Sequence, residues 1–129
     1  MSCPYFYPIQ SRRGSALLPL GDWWQGLCHT DPALPAEPAD STCCNLGYAR
    51  GQCSRFPLSA GPDAVRFTIA SQEAGAIHLY YVMERDHHPF AHGRLAYSVD
   101  GGFQPQPEKM LERQALAYVE SFRRRKDAA

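Results

Sequence analysis

The chain has 129 residues, with 13 Lys and Arg against 13 Asp and Glu, and 44% of it is hydrophobic. That size accommodates one ordinary core and not two, and the balance excludes both an acidic disordered segment and a strongly basic nucleic-acid binder. A single soluble domain over residues 1–129 is expected, with a change of character near residue 62.

Residues 1–62 hold eight of the eleven prolines and six of the ten glycines, and no helical or strand period persists there beyond a few residues. Proline removes backbone donors and glycine adds chain entropy, so this half has few hydrogen-bond ladders to offset the cost of ordering. Tyr5, Phe6, Trp23, Trp24, Tyr48 and Phe56 are nevertheless too many large apolar groups for a disordered segment. The expectation is an irregular, cysteine-rich but folded half that needs a staple. One short helix is expected at Trp23 to Leu27 behind Asp22 as N-cap, and Thr30 to Ser41 reads as an exposed loop.

From residue 63 the pattern is regular. Ala64 to Ala70 alternates, with Val65, Phe67 and Ile69 on one face, which predicts a half-buried strand. Ser71 to Gly75 reads as a turn, and Ala76 to Glu84 as a second strand with both faces largely apolar. Something must then cover its second face. A loop from Arg85 to Gly93 is expected next, followed by a strand from Arg94 to Val99 with Leu95, Tyr97 and Val99 inward, and a tight turn at Asp100-Gly101-Gly102. Pro107 suits a first helical turn, and Leu111, Ala115, Tyr118, Val119 and Phe122 recur at helical spacing. Arg123 to Lys126 complement the dipole at that helix's end. The fold class is therefore α+β: an antiparallel sheet of three or four strands carrying a C-terminal helix in 63–129, with the irregular half lying on the sheet's other face.

The five cysteines carry the functional reading. Three fall within CCNLGYARGQC, residues 43–53, where Gly47 and Gly51 allow tight turns. The first twenty residues have no charged region ahead of an apolar run, and no stretch nears the roughly 18 apolar residues of a membrane span. A cytosolic location follows, where thiols stay reduced and an odd cysteine count points to metal or redox chemistry rather than a disulfide framework. Four soft ligands converging on one point would serve zinc or an iron-sulfur cluster, and Cys3, Cys28, Cys44 and Cys53 supply them, with Cys43 and His29 as substitutes. Adjacent residues in extended chain point opposite ways, so Cys43 and Cys44 do not both serve one ion. Structural zinc sites carry short C-x2-4-C pairs, and every gap here is longer. A four-iron cube is wide enough to take ligands from separate loops, which favours [4Fe-4S] over zinc, with unligated core thiols as the plain alternative.

The loop at 86–92 holds three histidines and Asp86, which opens a second rival, a small enzyme with a histidine base. Pro89 interrupts any helix that would align His88 with His92, so no metal motif is formed there. The basic end at Arg123 to Lys126 has no matching stripe elsewhere in a neutral chain, which argues against nucleic acid as partner. Phosphate, dinucleotide, hydrolase and metalloprotease signatures are missing. The expected function is a small iron-sulfur protein in electron transfer or redox sensing, without substrate chemistry of its own. Its partner would be a redox or other protein, with no membrane involved. The first rival is a zinc-stapled interaction module.

Overall fold

The computed structural model of the chain describes residues 3–12, 23–30, 36–39, 42–45, 49–50, 52–57, 61–73 and 75–128. In the amino-terminal half, β1 (Phe6–Arg12), β2 (Trp23–Cys28) and β3 (Glu37–Ala39) form an antiparallel sheet in the order β1-β2-β3. This corrects the expectation of an irregular half, and the reason lies in where the prolines sit. Pro8 and Pro38 occupy the two edge strands, where a missing N–H leaves no ladder bond unmade, while the central strand contains no proline. The register of β1 shifts between Pro8 and Gln10, which leaves Ile9 outside the pairing.

The helix expected at Trp23 to Leu27 is instead this central strand. Five residues are too few for a helix to persist by itself, and an aromatic residue such as Trp24 fits a pleated surface with a strand on either side. Gly26 makes the close pairing possible, because a Cβ there would lie 2.0 Å from the Tyr7 carbonyl oxygen. β3 falls inside the stretch read as a loop, of which residues 31–35, 40 and 41 lie outside the described residues. A single helical turn, α1 (Thr42–Asn45), follows.

The carboxy-terminal half follows the alternation. β4 (Ala64–Glu73), β5 (Ala76–Arg85), β6 (His88–Ser98) and β7 (Gly102–Gln104) form a four-stranded antiparallel meander in chain order. The loop expected at Arg85 to Gly93 is corrected to a two-residue turn, Asp86 and His87, with φ of 52° and 65°. Two successive left-handed residues make the hairpin turn whose twist matches the flanking strands. Pro89 does not break β6 because it stands opposite Glu84 at a bulge, and β7 reaches only Ala96 to Ser98, so among the described residues no strand pairs with the other side of β6 there. Val99, expected inward, lies just past the strand and is 69% exposed.

α2 (Lys109–Ala128) begins two residues after Pro107. Its Leu111, Ala115 and Val119 pack against Val65, Ile77, Leu79, Leu95 and Phe103, with Phe67, Tyr118 and Phe122 around them. Each large side chain buried this way contributes roughly 1.5–3 kcal/mol. A second core joins Ala117 of the same helix to Cys3, Phe6, Trp24, Ala49 and Phe56. The amino-terminal half therefore packs on α2, not on the outer face of the meander as expected, and Tyr80 on that outer face is 42% exposed. The helix accommodates both cores because Gln114 and Ala117 are buried in addition to its apolar stripe.

Candidate metal centre

The second core holds three of the four cysteines nominated as ligands. Cys3 is 6% exposed and belongs to its buried centre, and Cys44 and Cys53 pack against it. Cys28 ends β2 directly opposite Phe6, so the two side chains share a face of the sheet, and Phe6 is buried in this same core. The surroundings are apolar, with the Tyr5 and Phe56 rings meeting edge to face at 5.4 Å.

Local bonds fix each cysteine. The Cys3 N–H donates to the Cys44 carbonyl at 3.0 Å, and the Phe6 N–H closes a turn onto the Cys3 carbonyl at 3.0 Å. Cys44 sits in α1 beside Asn45, whose side-chain amide pairs with the main chain of Trp24: Oδ1 accepts from the Trp24 N–H at 2.8 Å and Nδ2 donates to its carbonyl at 3.1 Å. That pairing ties the helical turn of Cys44 to the strand of Cys28. The N–H groups of Gln52 and Cys53 both donate to the Ala49 carbonyl, at 3.0 and 2.8 Å, and Phe56 donates to the Cys53 carbonyl at 3.1 Å. From α2, Gln114 Nε2 reaches the carbonyls of Cys3 at 2.5 Å and Phe6 at 2.9 Å.

Burial pushes the Cys3 thiol up to about 12; the backbone N–H of Tyr5 partly offsets this, and Cys44, Cys28 and Cys53 each raise it further. A buried thiol so placed ionises only when a cation compensates it, as a coordinated metal does. Cys3, Cys28, Cys44 and Cys53 are all thiols rather than disulfides, and the Cys28 Sγ contacts the Thr30 hydroxyl at 3.4 Å.

Among the described residues no three His, Cys, Asp or Glu side chains stand close enough to hold a single metal ion. Thiolates on one zinc, at about 2.3 Å each, would lie within roughly 4 Å of one another. Bridging sulfides and several irons hold their thiolate ligands farther apart. The side chain of Cys43 lies outside the described residues. His29 donates its N–H to the Tyr5 carbonyl at 2.8 Å and stacks on Tyr7 at 3.9 Å, on the face opposite Cys28, with Nε2 buried and unpartnered.

Asp63 connects this region to the meander. It is 4% exposed; Oδ1 accepts from Arg50 Nε at 2.7 Å, and Oδ2 accepts from the Asp86 N–H at 2.7 Å. Burial works to raise its pKa, but the Asp86 N–H and the Arg50 guanidinium together hold it below the usual carboxylate value. Arg50 also lies over the Phe56 ring at 4.8 Å. The tip of the β5–β6 hairpin is thereby bonded to the turn that carries Cys53. His87, His88 and His92 are exposed on that hairpin.

The sequence reading missed Asn45, Asp63 and Gln114. Gln114 alone carried a signal, a polar residue beside Ala115 within the buried stripe of a helix. Comparison with protein-family models, curated proteins and solved structures finds no match. Among the described residues no helix is long and apolar enough to cross a membrane. The fold defines an α+β class of two antiparallel sheets and one long helix.

Proposed function

We propose that the protein holds a [4Fe-4S] cluster through Cys3, Cys28, Cys44 and Cys53 and works in electron transfer or redox sensing in the cytosol, with a redox protein as partner. The observation that carries this reading is the second core, where three of these cysteines pack among aromatic side chains and the fourth stands across the strand pair from Phe6. An apolar wall limits solvent access to a cluster and tunes its potential. Ligands drawn from the turn before β1, a strand end, a helical turn and a loop suit a wide cluster better than one compact ion.

The test is a spectrum of anaerobically purified protein, wild type and with each of the four cysteines replaced by serine. The reading expects a brown preparation with broad absorbance near roughly 400 nm that every replacement weakens or abolishes. A colourless, zinc-containing wild type would replace it with the stapled interaction module. A colourless, metal-free one that melts unchanged after all four replacements would leave the thiols as core filling.

A further inference from the structure

Gln114 is 3% exposed and belongs to α2, yet both protons of its side-chain amide go to the main chain of the Cys3 turn. Because both partners are carbonyl oxygens, only the nitrogen end of the amide can face them, which fixes its orientation. The other end, Oε1, is buried without a hydrogen-bond partner among the described residues. A leucine or methionine of similar size would fill the space without that cost, so the amide contributes something other than volume.

Its effect falls on the turn that carries Cys3. The Cys3 carbonyl takes two donors, Gln114 Nε2 and the Phe6 N–H, while the Cys3 N–H goes to the Cys44 carbonyl. Residue 3 is thus tied through both backbone groups, once to α1 and once to a helix 111 positions away in sequence. Without such ties the turn that carries Cys3 opens locally more often, and a sulfur on a loosely held turn is a poor ligand. We infer that Gln114 is the positioning residue that makes Cys3 a metal ligand by holding its turn against α2. The inference rests on the four-cysteine reading. It deepens that reading by naming the group that holds the Cys3 turn in place.

Two measurements on the full chain test it, with Gln114→Leu, Cys3→Ser, their double variant, and Val119→Ala as a control on the same helix. In metal-free protein, the rate at which iodoacetamide alkylates Cys3 is followed by peptide mass spectrometry. It should rise about tenfold in Gln114→Leu, the effect of losing local hydrogen bonds that hold a turn, and stay near wild type in Val119→Ala, which perturbs the other core. After anaerobic reconstitution with iron and sulfide, Gln114→Leu should lose as much bound iron as Cys3→Ser, and the double variant no more than either.

Alkylation of Cys3 at the wild-type rate in Gln114→Leu would overturn the inference, as would additive iron loss in the double variant. Wild-type protein that takes up no iron defeats the cluster reading instead, and the alkylation result still decides the role of Gln114 in holding the turn. Should Gln114→Leu fail to fold, Gln114→Asn keeps the amide but shortens its reach by one methylene, and the same outcomes apply to it.

Discussion

Replacing Asn45 with alanine removes two buried hydrogen bonds at once and strands the groups they served. The Trp24 N–H and carbonyl, 2.8 and 3.1 Å from the Asn45 amide, belong to a residue that is itself buried, so neither is freely solvated once the amide is gone. An unsatisfied buried backbone group costs about 1–3 kcal/mol, which puts Asn45→Ala at about 2–6 kcal/mol for the pair. Against the roughly 5–15 kcal/mol by which a domain is stable, that is a large fraction. The assay is urea unfolding of the metal-free chain at neutral pH, followed by tryptophan fluorescence because Trp24 reports on this core. Asn45→Asp separates the two bonds: the carboxylate still accepts from the Trp24 N–H but opposes its carbonyl oxygen, so it should be destabilised as well. Since Asn45 adjoins Cys44, iron uptake should fall in both variants. An Asn45→Ala midpoint within about 0.5 kcal/mol of wild type would refute the reasoning, because a loss that small means the Trp24 main chain is not held by this amide.

Gly26→Ala should separate β1 from β2 while leaving the four-stranded meander intact, since the new methyl would meet the Tyr7 carbonyl at 2.0 Å; backbone amide exchange should accelerate in β1 and β2 and remain slow in β5. Leu111→Ala, which opens a cavity under the meander, should cost about 2–5 kcal/mol in denaturant unfolding yet leave the iron content of folded protein unchanged. Asp63 supplies a pH test. Its folded-state pKa lies below the unfolded value, so its contribution is complete above the ordinary carboxylate range and disappears as pH falls through the folded value. Asp63→Asn should therefore be less stable than wild type at neutral pH, by about 1–3 kcal/mol, and the gap should close in acid. A gap that persists unchanged at the acid end would show that the charge on Asp63 contributes nothing.

The sequence made the meander legible because its chemistry repeats at short range. Val65, Phe67 and Ile69 alternate as a sheet face does, and Leu111, Ala115 and Val119 recur as a helix face does; these two patterns account for the carboxy-terminal core. Where the decisive contacts are distant or depend on a neighbouring strand, the local signal pointed elsewhere. Trp23 to Leu27 follows an Asp that resembles a helix cap, and only pairing on both sides makes it a strand. Pro8 and Pro38 looked like breakers until the strand order put them at edges. Asp86-His87 is not the Asn-Gly or Asp-Gly pair that announces a hairpin turn, so the residue pattern signals this strand only from Arg94, six residues after its start at His88. Four cysteines could be nominated by type, and the second core groups three of them with the fourth opposite Phe6. The polar groups that hold them, Asn45 and Gln114, act over 21 and 111 residues of sequence, a separation at which no local pattern informs.

The most direct test is elemental: iron and acid-labile sulfide measured on the same anaerobically prepared sample, per mole of chain. About four of each, falling together when Cys3, Cys28, Cys44 or Cys53 is replaced, is the predicted result. Iron without sulfide, zinc in its place, or no metal at all in protein kept from air would contradict a cluster held by these four sulfurs.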